Sequence, residues 1–89
     1  KEIPSLMQMG KCFAKRGMND MAAGTLQKAL DKKEIMDDEK IDLHYQLGCV
    51  LDSMDRAGES IDQFKLIYER DIGYRDVAER VDTYYANLA

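Results

Sequence analysis

A repeated arrangement of glycines and apolar residues constrains this chain more than any other feature of its sequence. The pair Met9-Gly10 recurs 38 residues later as Leu47-Gly48. The residues 12, 16 and 19 positions after each glycine also correspond in the two places. These are Ala22, Leu26 and Ala29 after the first glycine, and Ser60, Phe64 and Ile67 after the second. The chain therefore contains two units that share one internal register.

Each unit is predicted to be a pair of helices joined by a short turn. In the second unit, apolar residues recur in three- and four-residue steps from Leu43 to Met54, and again from Ala57 to Tyr68. This spacing is typical of one face of an α-helix. Asp37 and Asp38 precede the first of these helices and can cap its free amides. We expect Gly73 to close the second helix in the left-handed conformation.

Residues 3–30 repeat this layout, and a further apolar stripe from Val77 to Leu88 predicts a fifth helix. The single proline is Pro4, so the 85 residues that follow it contain none. Because proline and glycine usually separate short strands, this absence of proline favours helices. The sequence therefore predicts an all-α fold with five helices and no strand.

The repeated glycines require a structural reason, because a glycine inside a helix costs roughly 1 kcal/mol relative to alanine. Gly10 and Gly48 each lie within an apolar stripe. We therefore expect the paired helix to approach closely at both positions. Small residues on that helix would allow the approach and larger ones would fill the next turn, the residues concerned being Ala22, Ser60, Leu26 and Phe64.

The methionines divide into two predicted groups. Met9, Met21 and Met54 are expected to fill the core, since the flexible methionine side chain suits irregular gaps. Met7, Met18 and Met36 are expected at the surface, either without a role or as part of an adaptable binding surface, and the sequence leaves these two readings open.

Composition argues against several classes of partner. A net charge of −4 weakens nucleic-acid binding, which needs basic patches, and disfavours an anionic membrane surface. No apolar stretch approaches the ~20 residues that cross a bilayer, and no signal-peptide pattern is present. The chain begins at Lys1-Glu2 without a methionine, so we expect a piece of a longer protein. The compartment stays open, with a cytoplasmic one favoured over an exported one.

The residues that could support catalysis or metal binding are few and badly spaced. Cys12 and Cys49 stand alone, and one histidine with two cysteines makes a weak zinc site. His44 and Cys49 are five residues apart, which points their side chains to different faces of a helix. We therefore expect His44 to have a packing role, and we expect no enzymatic activity, no cofactor and no metal.

The motif His44-x-x-Leu47-Gly48-x-x-Leu51, followed by Ser60, Phe64 and Ile67, resembles a tetratricopeptide repeat. The first unit resembles it too, with Gly17 where the family places a glycine between the two helices. Three positions depart from the family pattern: His44 for tryptophan, Ser60 for alanine and Ile72 for proline. The spacing of 38 residues also exceeds the family's 34, and we expect the excess, within residues 33–40, to add about one helical turn.

The resemblance implies a right-handed α-solenoid of two helix-turn-helix hairpins plus a C-terminal capping helix. It assigns one domain to residues 1–89, with repeat one at about 3–36, repeat two at about 38–72 and the capping helix at about 74–88. Residues 71–77 resemble the end of many bacterial tetratricopeptide arrays, so we expect the C-terminal end of such an array.

The resemblance also implies a function, because such solenoids bind partners on a concave face lined by the first helix of each hairpin. It predicts a non-catalytic protein–protein interaction module that holds a peptide or a helical segment of a partner. Tyr45 is the one aromatic expected on this face rather than in the core, with Lys11 and Arg80 beside it. A partner with one apolar anchor and a nearby acidic group suits this mixture. The predicted groove residues are Met7, Lys11, Asp42, Tyr45, Gln46, Cys49 and Arg80.

An alternative prediction is a structural or oligomerisation segment of a larger repeat protein. About three repeats are normally needed before stacking buries enough surface, and this chain has two and a half. We therefore expect weak self-association and incomplete cover over four apolar residues near the two ends, namely Leu6, Phe13, Val81 and Tyr85.

Overall fold

The computed structural model describes residues 2–88 as five α-helices, with no β-strand in that range. The prediction of an all-α fold with five helices is therefore confirmed. None of these helices is both long enough and apolar enough to cross a membrane. The helices are α1 (Glu2–Lys15), α2 (Asn19–Lys32), α3 (Asp38–Ser53), α4 (Ala57–Arg70) and α5 (Val77–Leu88).

Each helix packs mainly on its neighbours along the chain. The contacts between α1 and α2 and between α3 and α4 are the most extensive, followed by those of α2 with α3 and of α4 with α5. α1 also touches α3. Two apolar clusters form the core. The first has buried residues from α2 and α3 and is covered by α1, and the second joins α3, α4 and α5.

The two repeated glycines lie at close helix contacts. A Cβ atom added to Gly48 would stand 2.7 Å from Cε1 and Cζ of Phe64, and one added to Gly10 would stand 2.7 Å from Cγ and Cδ2 of Leu26. Phe64 and Leu26 are almost fully buried, so neither side chain has free space to move into. The predicted role of both glycines is therefore confirmed.

The second unit adds a buried polar contact to this arrangement. Ser60 Oγ donates a hydrogen bond of 2.7 Å to the backbone carbonyl of Gly48. Both residues are buried, and the bond satisfies a hydroxyl group that would otherwise be costly to bury. Ser60 therefore joins α4 to α3 beside the close contact at Gly48.

The turns follow the sequence prediction in one place and depart from it in another. Gly17 adopts a φ of 74° between α1 and α2, which a glycine accepts without strain. Gly73 does not adopt the predicted left-handed conformation, because its amide donates to Asp71 Oδ1 at 3.1 Å in a side-chain turn. α4 ends at Arg70, and the positive φ falls on Arg75 instead.

The connection between the two units is a loop. Residues 33–37 lie between α2 and α3, whereas residues 38–40 begin α3, so only part of the segment predicted to add a helical turn is helical. Asp37 caps α3 by accepting a hydrogen bond of 3.0 Å from the amide of Lys40, as predicted. Lys33 Nζ pairs with Asp37 and Glu39 at 2.7 and 2.9 Å, which holds the loop against the start of α3.

Several burial predictions need correction. Met9 and Met21 are each 48% exposed and do not fill the core, whereas Met54 packs against the first cluster. Val81 is buried by α4, although cover was expected to be incomplete there. The apolar spacing identifies the side of each helix that faces the core. It does not separate residues at the edge of that side, such as Met9 and Met21, from residues at its centre. Tyr85 stays exposed as predicted, while Leu6 and Phe13 are half-buried.

A comparison of two glycines tests the close contact at Gly48. Gly48→Leu should lower the free energy of unfolding by about 1–3 kcal/mol or more, because overpacking a filled core forces the neighbours to move. Gly24 lies in α2 with nothing within 4 Å of an added Cβ. Gly24→Leu should therefore stabilise the protein, by up to about 0.8 kcal/mol, since leucine is a better helix former than glycine. Urea unfolding of both variants measures this, and equal effects would contradict the assigned contact.

Candidate functional site

Polar side chains from α1, α3 and α5 bridge one another on one side of the protein, which we call the α1/α3/α5 face. Lys11 Nζ lies 3.7 Å from Asp42 Oδ2, which joins α1 to α3. Arg80 Nη1 lies 3.7 Å from Asp52 Oδ2, which joins α5 to α3. The face comprises Lys11, Asp42, Tyr45, Gln46, Cys49, Asp52, Tyr74, Arg75, Asp76 and Arg80.

Tyr45 occupies the centre of this face as a packed residue rather than a free platform. Its ring centroid lies 5.6 Å from that of Phe64 and 5.7 Å from that of Tyr74. Its hydroxyl donates a hydrogen bond of 2.7 Å to Asp76 Oδ1. The side chain also packs against the second apolar cluster. Tyr45 is half-buried and is not one of the buried residues of that cluster, so its predicted place on the face stays a prediction, while both its ring and its hydroxyl have partners within the chain.

Two guanidinium groups lie over the aromatic rings of the face. Arg80 is 5.0 Å from the ring centroid of Phe64 and 5.9 Å from that of Tyr45. Its charge is also matched by Asp76 Oδ2 at 3.0 Å. Arg75 lies 5.0 Å from the Tyr45 centroid and is exposed to solvent. Within residues 2–88, Arg75 takes part in no ion pair.

The backbone of Arg75 is unusual. Its φ of 44° is in the left-handed region, which residues with a Cβ atom rarely adopt. The same residue stacks on a second ring, that of Tyr74, at 5.5 Å. Backbone strain of this kind persists where the surroundings fix it, often at binding sites. Sequence reasoning missed Tyr74 and Arg75. The adjacent Tyr-Arg pair before the last helix was the available signal.

The remaining predicted groove residues fall into two groups. Gln46 Nε2 donates a hydrogen bond of 3.2 Å to Asp42 Oδ1, so Asp42 links Gln46 and Lys11. Cys49 is half-buried beside Tyr45 and packs against the second cluster. Met7 is half-buried and packs against the first cluster, where it covers the core. The structure thus brings the predicted residues together in two sets, Lys11 with Asp42 and Gln46, and Tyr45 with Arg80 and Cys49, while Met7 has a packing role.

The hydrogen bond between Tyr45 and Asp76 sets the protonation of both groups. Burial, and then the bond to Asp76, raises the pKa of Tyr45 to about 12. The bond from Tyr45 is the largest cause that lowers the pKa of Asp76, and the nearby Arg80 lowers it further. Asp76 is therefore a carboxylate and Tyr45 a neutral phenol at neutral pH. The pair is a fixed dipole on the face.

A cleft of about 460 Å³ opens beside Arg80, between α5 and the adjoining ends of α3 and α4. Ala57 and Tyr84 supply accessible apolar wall above the buried Phe64 and Ile61. Asp52, Asp76 and Glu79 place carboxylates at the edge of the cleft. Such a combination of apolar wall and a few charged groups is typical of a binding site. The cleft has room for one apolar side chain of a partner.

The groups most often used in catalysis lie elsewhere or are unfavourably placed. His44 is buried, and its Nδ1 is hydrogen-bonded to Oε1 of Gln63 on α4, 2.8 Å away. Burial lowers the pKa of His44 and raises that of the Cys49 thiol, so burial disfavours the charged form of both side chains. In the part of the chain that the structure describes, no three His, Cys, Asp or Glu side chains cluster to hold a metal ion.

A conservative variant tests the bond at the centre of the face. Tyr45→Phe should lower the free energy of unfolding at pH 7 by about 1 kcal/mol, since it removes one hydrogen bond to a partly exposed carboxylate. Because the bond lowers the folded-state pKa of Asp76, its contribution is present above the unfolded pKa of about 3.9 and is lost as pH falls through the folded value. The difference between the two proteins should therefore shrink below about pH 4.

Urea unfolding at pH 7 and pH 3 measures this difference, and carboxyl NMR follows Asp76 directly. The pKa of Asp76 should rise in Tyr45→Phe, and the tyrosine titration near pH 12 should disappear. Tyr68→Phe is the control, because Tyr68 also packs on the second cluster but makes no side-chain hydrogen bond among residues 2–88. An unchanged Asp76 titration in Tyr45→Phe would contradict the assignment.

Comparison with known proteins does not assign this face to a family. No protein-family model, curated protein or solved structure matches the chain. The resemblance to tetratricopeptide repeats therefore stays a prediction from the residues, and the chemistry of the α1/α3/α5 face is the basis on which a function is inferred.

Proposed function

We propose that this chain is a non-catalytic protein-interaction module that holds a peptide or helical segment of a partner on the α1/α3/α5 face. In the same proposal, the helices form a right-handed solenoid of two tetratricopeptide-type hairpins, with α5 as the capping helix. The α1/α3/α5 face is then its concave side. The observation that carries the binding proposal is the exposed guanidinium of Arg75, stacked on two tyrosine rings and free of any ion pair within residues 2–88.

The packing of the helices supports the proposed arrangement. Three residues separate α1 from α2, and three separate α3 from α4. Connections this short favour antiparallel neighbours, as in a helical hairpin. The equivalent close contacts at Gly10 and Gly48 give both hairpins the same internal geometry. Stacking of one hairpin on the next requires contacts between the two hairpins. Both α1 and α2 contact α3.

The charges of the face support a specific partner chemistry. Arg80 and Lys11 already have carboxylate partners within the chain. Arg75 does not, and a guanidinium held by aromatic stacking needs little further ordering to bind a carboxylate. The partner is therefore expected to bring an acidic side chain or a terminal carboxylate to Arg75. Its apolar anchor would enter the cleft beside Arg80, against Ala57 and Tyr84.

Two features support the absence of catalysis in this proposal. His44 is buried and hydrogen-bonded to Gln63, away from Cys49. Burial also raises the pKa of the Cys49 thiol, which disfavours the nucleophilic thiolate form. The charged groups of the face are mostly paired with one another, an arrangement that suits recognition of a partner by fixed charges.

The proposal is tested with peptides selected on the purified protein from a random displayed library. The bound sequences should share one large apolar residue and a nearby carboxylate. Arg75→Asn should weaken binding of a selected peptide by about 1.5–3 kcal/mol, the usual range for a bond to a charged group. Asparagine tolerates the left-handed backbone at this position, so the melting temperature should not fall.

Arg70→Asn is the matched control for this calorimetric titration. Arg70 is exposed at the end of α4 and, like Arg75, forms no ion pair in the described part of the chain. Arg70→Asn removes the same positive charge as Arg75→Asn, but from a residue outside the face, and should leave the peptide affinity nearly unchanged. Equal losses for both variants, or no loss for Arg75→Asn, would contradict the proposed site.

A specific observation also supports the alternative, a structural or oligomerisation segment. Tyr85 and Leu88 on α5 are 45% and 64% exposed, so the last helix carries two large apolar side chains that the described part of the chain leaves partly uncovered. In a longer repeat protein, or in a second copy of this chain, a neighbouring helix would cover such a surface. This role is compatible with partner binding on the α1/α3/α5 face.

Sedimentation equilibrium tests this second role. The protein should self-associate weakly at high concentration, and Leu88→Gln should reduce the association because it removes exposed apolar area without changing charge. Ile35→Gln is the control, since Ile35 is 72% exposed but lies in the loop between α2 and α3. A wild-type protein that stays monomeric throughout, or equal effects of the two variants, would contradict a role for α5.

A further inference from the structure

A second groove lies between α2 and α4, and we call it the outer groove. No backbone contact joins α2 to α4 among residues 2–88, and α3 forms the floor between them. The central part has a volume of about 480 Å³. Its lining includes Ala23 and Gly24 from α2, Leu47 and Leu51 from α3, and Asp62 and Gln63 from α4.

The outer groove is separate from the α1/α3/α5 face. At 3.6 residues per turn, Leu47 and Leu51 lie on the side of α3 opposite to Tyr45 and Cys49. The groove also extends beyond its central part. It shares Met54 with a hollow that Met18 and Met21 line, and it shares Gln63 with a hollow beside His44.

Packing within this chain does not explain why the groove residue at position 24 is a glycine. It lies in the middle of α2, where glycine weakens a helix relative to alanine. Gly10 and Gly48 each make room for a side chain of the same protein, whereas an added Cβ at Gly24 would meet nothing within 4 Å. The missing side chain instead leaves open space in the groove wall, where the backbone of another chain can approach closely.

The charged residues around the outer groove are mainly acidic. Asp20 on α2 and Asp62 on α4 stand on opposite walls, both are exposed, and neither forms an ion pair in the described part of the chain. Glu59 also lines the groove, and its charge is matched by Arg56. Leu47 and Leu51 form a floor that is only 3% and 5% exposed. The exposed apolar surface is at one end, where Met18 and Met21 are 40% and 48% exposed.

From these observations, we propose that the outer groove docks a basic amphipathic helix of a partner protein. The apolar side of that helix would lie against Met54 and the exposed Met18 and Met21 at one end of the groove. Its backbone would pass closest at Gly24, and its lysines or arginines would face Asp20 and Asp62. A helix satisfies its own backbone hydrogen bonds, and the walls offer no strand edge to pair with an extended segment. The docking does not depend on the function proposed for the α1/α3/α5 face.

The probe is a synthetic peptide of leucine and lysine, about 18 residues or five helical turns long, with all leucines on one side of the helix. A second peptide has the same composition in scrambled order and therefore the same charge. Fluorescence anisotropy should show that the ordered peptide binds at least about tenfold more tightly. Equal affinities would overturn the proposal, because charge attraction alone would then account for binding.

Two variants locate the bound peptide. Gly24→Gln fills the open space without changing the charge, and should weaken binding of the ordered peptide at least about tenfold. Circular dichroism should show that this variant folds, because its Cβ meets no neighbouring atom. Asp62→Lys reverses a charge on the groove wall and should weaken binding about three- to tenfold.

Asp82→Lys is the matched control, because it makes the same charge change on the exposed side of α5, outside the groove lining. It should change the affinity less than about twofold at physiological salt, where distant surface charges are screened. The proposal is overturned if the folded Gly24→Gln variant binds as tightly as the unaltered protein. It is also overturned if Asp62→Lys and Asp82→Lys weaken binding equally.

Discussion

The close approach of paired helices at Gly10 and Gly48 is the constraint on which the rest of the structure depends. In each unit, a large buried side chain of the second helix fills the space directly over a glycine of the first. The second unit adds the hydrogen bond from Ser60 to the Gly48 carbonyl. Because interiors are closely packed, these contacts fix the position of α4 on α3 and of α2 on α1.

α3 links this packing to both surfaces on which binding is proposed. One side carries Tyr45, whose ring rests on Phe64, the same side chain that fills the space over Gly48. Arg80 lies over Phe64 as well, so the core contact and the charged face share one aromatic ring. The other side of α3 forms the floor of the outer groove through Leu47 and Leu51. A shift of α4 on α3 would therefore alter both surfaces.

The sequence predicted those parts of the structure that depend on periodicity and on local chemistry. The helices follow from apolar spacing, and the Gly10 and Gly48 contacts follow from glycines placed inside apolar stripes. The features that the sequence did not predict depend on contacts between particular side chains and backbone groups. Asp71 accepts a hydrogen bond from the amide of Gly73, which does not take the predicted left-handed conformation, and Asp76 accepts one from the hydroxyl of Tyr45, which was not predicted. Arg75 was missed because a left-handed arginine stacked on two tyrosines depends on how a loop folds back.

A double-mutant cycle between positions 48 and 64 tests the central claim most directly. Leucine at position 64 lacks the Cε1 and Cζ atoms that a Cβ on residue 48 would meet at 2.7 Å. If the glycine exists to accommodate the ring, Gly48→Ala should cost less free energy of unfolding in the Phe64→Leu background than in the unaltered protein, with a coupling of about 0.5–3 kcal/mol. Additive effects, within about 0.3 kcal/mol, would contradict the claim that this contact determines how α3 and α4 pack.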